Sequence, residues 1–133
     1  MLAADTNVVV RLILNDDPAQ SAAVDRILSG ADAGGIYISL IVVAEVAWVL
    51  KRGYREQPDA ILEIVSGMLV TREFTVERPD LVEAAVADAR DANCGVADAI
   101  IARQNQERGT NGTLTFDIRA KRLPMMVDAM AYR

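Results

Sequence analysis

Four carboxylates hold the most chemical promise in this chain. Asp5 closes the short apolar stretch Met1-Leu2-Ala3-Ala4, and Asp117 closes Thr113-Leu114-Thr115-Phe116. Glu45 interrupts an otherwise apolar run from Leu40 to Leu50, and Asp98 stands in Gly95-Val96-Ala97-Asp98-Ala99-Ile100-Ile101. There is no histidine and one cysteine, Cys94. That excludes histidine general bases, Ser-His-Asp triads, histidine metal ligands, an intrachain disulfide and a thiolate zinc site, and it fits a reducing compartment. Carboxylates gathered without such partners repel one another and need a cation or shared protons. Oxygen-only ligands suit the hard cations Mg²⁺ and Mn²⁺. The chemistry that follows is attack of a metal-activated water on a phosphodiester.

Each acid also has a plainer reading. Asp5 and Asp117 fit caps or turn formers after strands. Asp98 fits a helix N-cap. Glu45 has no basic residue within four positions on either side. If its helix is central, the carboxylate must find a distant arginine, lie at the sheet's rim or coordinate something.

The elements that must position these acids alternate between strand and helix. Met1–Ala4 reads as a short buried strand, followed by a helix from about Thr6. Asp17-Pro18 caps a second helix that stops at Ser29-Gly30. Ile36–Ser39 reads as a strand. Leu40 to Leu50 is apolar on every face, and its continuation to Arg52-Gly53 favours a central buried helix. Pro58 and Pro79 open further helices, with Thr75-Val76 a short strand between them. Asp98–Arg108 is helical, Thr113–Phe116 is a strand, a short helical turn follows, and Met125–Val127 is a last strand. The alternation predicts an α/β fold with a small parallel sheet flanked by helices on both faces. Ligands on such sheets lie beyond the carboxyl ends of the strands, where Asp5 and Asp117 stand.

Composition bounds the partners. The chain has 133 residues, 52% of them hydrophobic, which is one domain's length and enough for a sizeable core. One domain over 1–133 is expected. Aromatics are 5%, too few for a base-stacking platform. The net charge of −5 means that a nucleic acid must meet a local basic patch or a bound cation. The longest apolar run is too short to span a bilayer and contains Glu45. A soluble cytoplasmic protein without membrane attachment is expected.

Taken in order, Asp5-Thr6-Asn7-Val8, Val43-Ala44-Glu45-Val46, Ala97-Asp98-Ala99 and Thr115-Phe116-Asp117 resemble the PIN-domain ribonucleases. The likeness is strongest to the VapC toxins of bacterial toxin–antitoxin pairs, with Asp16-Asp17-Pro18-Ala19-Gln20 and Trp48-Val49-Leu50 adding to it. The resemblance covers nearly the whole chain. It implies a PIN-like fold and Mg²⁺-dependent endoribonuclease activity, with Mn²⁺ as a substitute. It also implies a homodimer and a cognate antitoxin protein. Asp5, Glu45, Asp98 and Asp117 match the family's acidic ligand set, and Thr6, Asn7 and Thr115 match its polar supporting positions. Thr115 then orients Asp117 or a water; alternatively it is a β-branched strand residue, and Asn7 only a helix-start residue. One position departs: relatives often carry another aspartate three residues before Asp98, where this chain has Gly95. One metal and two remain equally open.

Arg11, Lys51, Arg52, Arg55, Arg119, Lys121 and Arg122 are candidate phosphate contacts, or else solvated surface charge. Arg119, Lys121 and Arg122 follow Asp117 directly and are the foremost RNA-binding candidates. Trp48 reads as core, Cys94 as a small buried hydrophobe, and Met125, Met126 and Met130 as core or dimer packing. A receiver-type phospho-acceptor domain lacks support, because Asp5 stands without an acidic partner and no lysine ends a late strand. A haloacid-type phosphatase would need an aspartate where Asn7 stands. The rival that survives is a non-catalytic PIN-like module that binds RNA or protein.

Overall fold

The computed structural model describes residues 1–31 and 34–133. In chain order the elements are β1 (Leu2–Ala3), α1 (Thr6–Leu14), α2 (Pro18–Ser29), β2 (Ile36–Ile38), α3 (Leu40–Arg52), α4 (Pro58–Val70), β3 (Phe74–Val76), α5 (Pro79–Ala92), α6 (Val96–Arg108), β4 (Thr113–Thr115), a 3-10 turn (Ala120–Arg122) and β5 (Met126–Asp128). The alternation read from the sequence is present, with boundaries displaced by a residue or two.

The helix starts are set locally. The carboxylates of Asp5 and Asp17 and the hydroxyl of Ser39 accept the N–H groups of Val8, Ala19 and Val42 at 3.1, 2.9 and 3.4 Å. These bonds satisfy donors that the first turn of a helix leaves unpaired. Proline, which has no N–H to lose, opens α2, α4 and α5. Gly109 ends α6 at φ 95°, a left-handed conformation that favours glycine.

The strands form two parallel sheets. One has the order β1-β2-β3, with Leu2 beside Ile36 and Ile36 beside Phe74. The other pairs β4 with β5, placing Thr115 beside Asp128. β1 is not the buried strand expected. Leu2 is 79% exposed, because β1 is a two-residue edge strand that pairs on one side only.

α3 is the organising helix and packs against α1, α4 and α6. Leu40, Val43, Val46, Ala47 and Leu50 form its buried stripe. Fully burying a valine or leucine side chain is worth about 1.5–3 kcal/mol, so this stripe holds the helix in place. Two expectations for this segment are corrected. Glu45 is exposed rather than buried, so no interior charge needs rescue. Trp48 is 58% exposed rather than core, and the Arg52 guanidinium lies 5.3 Å from its ring centroid. Every face of α3 is apolar in sequence, but only one stripe meets neighbouring elements. Ile41, Glu45 and Trp48 fall at i, i+4 and i+7 on the outer face.

The α5–α6 pair is tied near its middle and at the C-terminal end of α6. Arg103 on α6 donates to Asp88 on α5 through two nitrogens, at 2.6 and 3.0 Å. Arg78, just before α5, pairs with Glu107 near the end of α6 at 2.9 Å. These bonds fix the axis of the helix that carries Asp98. Among the described residues, no helix is long and apolar enough to cross a membrane.

Candidate active site

Asp98 is the third residue of α6, not its N-cap. The cap position belongs to Gly95, which provides no capping side chain. The cap reading of Asp98 is therefore set aside. Its half-buried side chain makes no hydrogen bond or ion pair among the described residues. It lines a cavity of about 120 Å³ together with Asp117. Burial, and then the charge of Asp117, raise the Asp98 carboxyl above the ordinary aspartate range, while Lys51 pulls it back.

Asp117 reaches this cavity through a turn built from its own neighbours. Its N–H donates to the Thr115 hydroxyl at 3.0 Å. Its Oδ1 accepts the N–H groups of Arg119 and Ala120 at 2.9 and 2.8 Å, starting the 3-10 turn. Thr115 is thus more than a strand residue, because its hydroxyl shapes the turn that carries the acid. One oxygen of Asp117 is committed to capping, and Oδ2 makes no hydrogen bond among the described residues.

Two further sequence candidates meet elsewhere. The Thr6 hydroxyl donates to Glu45 Oε2 at 3.3 Å, joining α1 to α3. Asp5 uses Oδ1 as the cap of α1 and lines a different cavity, of about 630 Å³, beside β1. The plain cap reading of Asp5 is thus realised, again with one oxygen left over. Asn7 is exposed in the first turn of α1, and its side chain makes no hydrogen bond among the described residues. The structure therefore brings the candidates together in two pairs, Asp98 with Asp117 and Thr6 with Glu45. α3 packs against the helices that carry Thr6 and Asp98.

The donor set fits a hard divalent cation in chemistry. Asp98 and Asp117 line one cavity together with a third carboxylate, Glu56, and Lys51 and Arg119 are the cationic side chains in the same wall. Among the described residues, no group of three or more histidine, cysteine or acidic side chains is arranged to hold a metal ion. Mg²⁺ does not require one, since it commonly binds through one or two carboxylates, retained waters and substrate phosphate.

The rest of the cavity wall is what sequence reasoning missed. Glu56, with Pro58, Ile61 and Leu62 of α4, lines one part of it, and the Asn93–Val96 segment before α6 lines another. No local signal marks these residues, because α4 reaches the site only through tertiary packing. Cys94 is buried, as expected of a small hydrophobe, but it stands in this wall. Burial, followed by the charges of Asp98 and Asp117, pushes its thiol up to about 11, so it is no thiolate nucleophile near neutral pH. Of the three cations that follow Asp117, Arg119 lines the cavity. Lys121 pairs with Asp128 at 3.3 Å, and Arg122 donates to the Ala92 carbonyl at 3.5 Å.

The fold is α/β, and its acid-lined cavity brings Asp98 and Asp117 together. The PIN domain family model matches residues 3–125, and the chain belongs to that family. PIN domains are typically nucleases that act with divalent metal ions, and RNA binding is a general property of the family. No curated protein matches the chain.

Proposed function

We propose that this chain is a Mg²⁺-dependent endoribonuclease and the toxin of a toxin–antitoxin pair. The observation that carries the reading is Asp98: a half-buried carboxylate without a hydrogen bond among the described residues, lining one cavity with Asp117, Lys51 and Arg119. A carboxylate in that setting stores electrostatic repulsion that a bound cation relieves. Asp98 and Asp117 would hold the metal, with Asp5 and Glu45 completing its surroundings. When bound, Mg²⁺ supplies the Lewis-acid chemistry that makes water a nucleophile and stabilises the leaving oxygen. The chain's own residues orient and exclude. Thr115 fixes the turn beneath Asp117, Thr6 holds the Glu45 carboxylate, and α4 closes the apolar side of the cavity. Arg119 offers a phosphate contact from the rim.

We propose further that residues 1–133 work as one domain, in the cytoplasm and as a homodimer. The exposed Ile41 and Trp48 on α3 give the dimer an apolar surface, and the cognate antitoxin would cover another and place a basic side chain in the acid cavity. A short upstream gene encoding a DNA-binding protein with an amphipathic tail would support the toxin role. One finding favours the second reading, a PIN-like module that binds RNA or protein without cleaving it: among the described residues no three of the acids are grouped to hold a metal ion. Incubation of the purified chain with RNA separates the two. Cleavage that needs Mg²⁺ or Mn²⁺, leaves 5′-phosphate ends, stops with chelator and is lost in Asp5→Asn is expected. Cleavage that persists in excess chelator would sink the metal mechanism.

A further inference from the structure

An acid-lined cavity in a chain of net charge −5 repels a polyanion, so something in its wall must attract one. Of the seven cations that the sequence offers as phosphate contacts, five are otherwise engaged or lie outside the cavity wall. Arg11 pairs with Asp16 at 3.0 Å, and Lys121 pairs with Asp128. Arg52 stacks on Trp48, Arg122 bonds a backbone carbonyl, and Arg55 does not line the cavity. The two that line it are Lys51 and Arg119. Arg119 follows Asp117 within the same turn, so it moves with the acid it accompanies. Lys51 differs. It stands in the last turn of α3, which packs against α1, α4 and α6, and its ammonium makes no hydrogen bond or ion pair among the described residues.

We propose that Lys51 is the substrate-binding residue that seats a phosphate of the RNA strand beside Asp98 and Asp117. The inference rests on the nuclease reading and adds the residue that offsets the repulsion between substrate and acids. Lysine suits this role because its ammonium is a compact charge with three donors, on a stem that can follow the phosphate while the backbone stays fixed.

The test is binding, so that it does not depend on turnover. Fluorescence anisotropy of a labelled single-stranded RNA oligonucleotide of mixed sequence is measured across a salt series for wild type, Lys51→Gln and Lys51→Arg. Lys51→Gln should weaken binding about tenfold, as expected for one charged hydrogen bond. It should also make the plot of log affinity against log salt shallower by about 0.7, the value for one phosphate contact to a single strand. Lys51→Arg should restore both, and because residue 51 is exposed all three proteins should melt alike. Unchanged affinity and slope in Lys51→Gln would overturn the proposal, as would a wild type with no affinity for this RNA. Cleavage measured on the same samples in Mg²⁺ reports the nuclease reading separately. A wild type that binds through Lys51 and never cleaves would overturn that reading and leave the phosphate contact standing.

Discussion

Glu45 and Asp98 are acids on neighbouring helices, and they are held in opposite ways. Glu45 is exposed on the outer face of α3 and accepts a hydrogen bond from Thr6. Asp98 is half-buried on α6, accepts none, and faces Asp117. An exposed, hydrogen-bonded carboxylate costs the fold little. A half-buried one beside a like charge destabilises the protein until a cation arrives. The same residue chemistry thus gives one region that is stable as folded and one that is poised for a ligand.

The largest effect should come from removing the poised acid. Asp98→Asn should cut RNA cleavage by at least about 100-fold, because even the outer partners of metal ligands cost about 10- to 100-fold when removed. The same substitution should raise the melting temperature of the metal-free protein near neutral pH, since it removes both desolvated charge and repulsion. The pH dependence has a definite sign. In the folded chain Asp98 titrates above its unfolded value of 3.8. Below that value both states hold the proton and no penalty exists. As pH rises from the unfolded value towards the folded one, the folded state retains a proton that the unfolded chain has released, so stability falls; above the folded value both states have lost it and stability stays lower. Asparagine does not titrate, so the stability gap between mutant and wild type should open between acid and neutral pH. Melting curves in chelator across that range would read it. A wild-type-like profile together with full cleavage would remove Asp98 from the site.

A smaller effect is expected where the acid is already held. Thr6→Val removes the donor to Glu45 and keeps the side-chain shape. Cleavage should fall about tenfold, the effect of losing an orienting partner, while stability changes by no more than about 1 kcal/mol. Kinetics and melting on one preparation would check both. Equal cleavage in mutant and wild type would mean that Glu45 needs no orientation, and would erase the contrast between the two regions.

This contrast is only half legible in the sequence. The caps at Asp5 and Asp17, the prolines that open α2, α4 and α5, and the stop at Gly109 are local signals, and the helices lie close to where they indicate; Ser39, which reads as the end of a strand, instead caps α3. The turn carrying Asp117 is also local, since Thr115 and the N–H groups of residues 119 and 120 build it within a few residues. Exposure is a tertiary property, and local patterns do not carry it. Leu40–Leu50 is apolar apart from Glu45, so only that residue marks the outer face, and Ile41 and Trp48 beside it look no different from the stripe through Val43, Val46 and Leu50. Leu2 and Ala3 look like a buried strand because their composition does not show that β1 is an edge. The partnership of Lys51 with Asp98 spans α3 and α6 and has no signature in local spacing.

The smallest effect sharpens the comparison by adding charge instead of removing it. Gly95, the N-cap of α6, has φ −73° and ψ 143°, extended backbone that any residue adopts. A Cβ there would lie 3.5 Å from Asp98 Oδ2, an ordinary contact. Gly95→Asp should therefore fold, and it would add a carboxylate to the cavity beside Asp98 and Asp117. As a cap, aspartate improves on glycine by only a few tenths of a kcal/mol. The added repulsion acts against that gain, so the metal-free protein should melt at or slightly below the wild-type temperature. With Mg²⁺ the balance reverses. Greater ligand charge tightens cation binding, and each tenfold gain in affinity adds about 1.4 kcal/mol of stability at saturating metal. The rise in melting temperature on adding Mg²⁺ should thus exceed that of the wild type, while Asp98→Asn should show the smallest rise of the three. If aspartate at 95 only caps the helix, its metal-free protein will melt slightly higher and its Mg²⁺ shift will match the wild type. Melting curves of the three proteins, with and without Mg²⁺, distinguish a third ligand from a better cap.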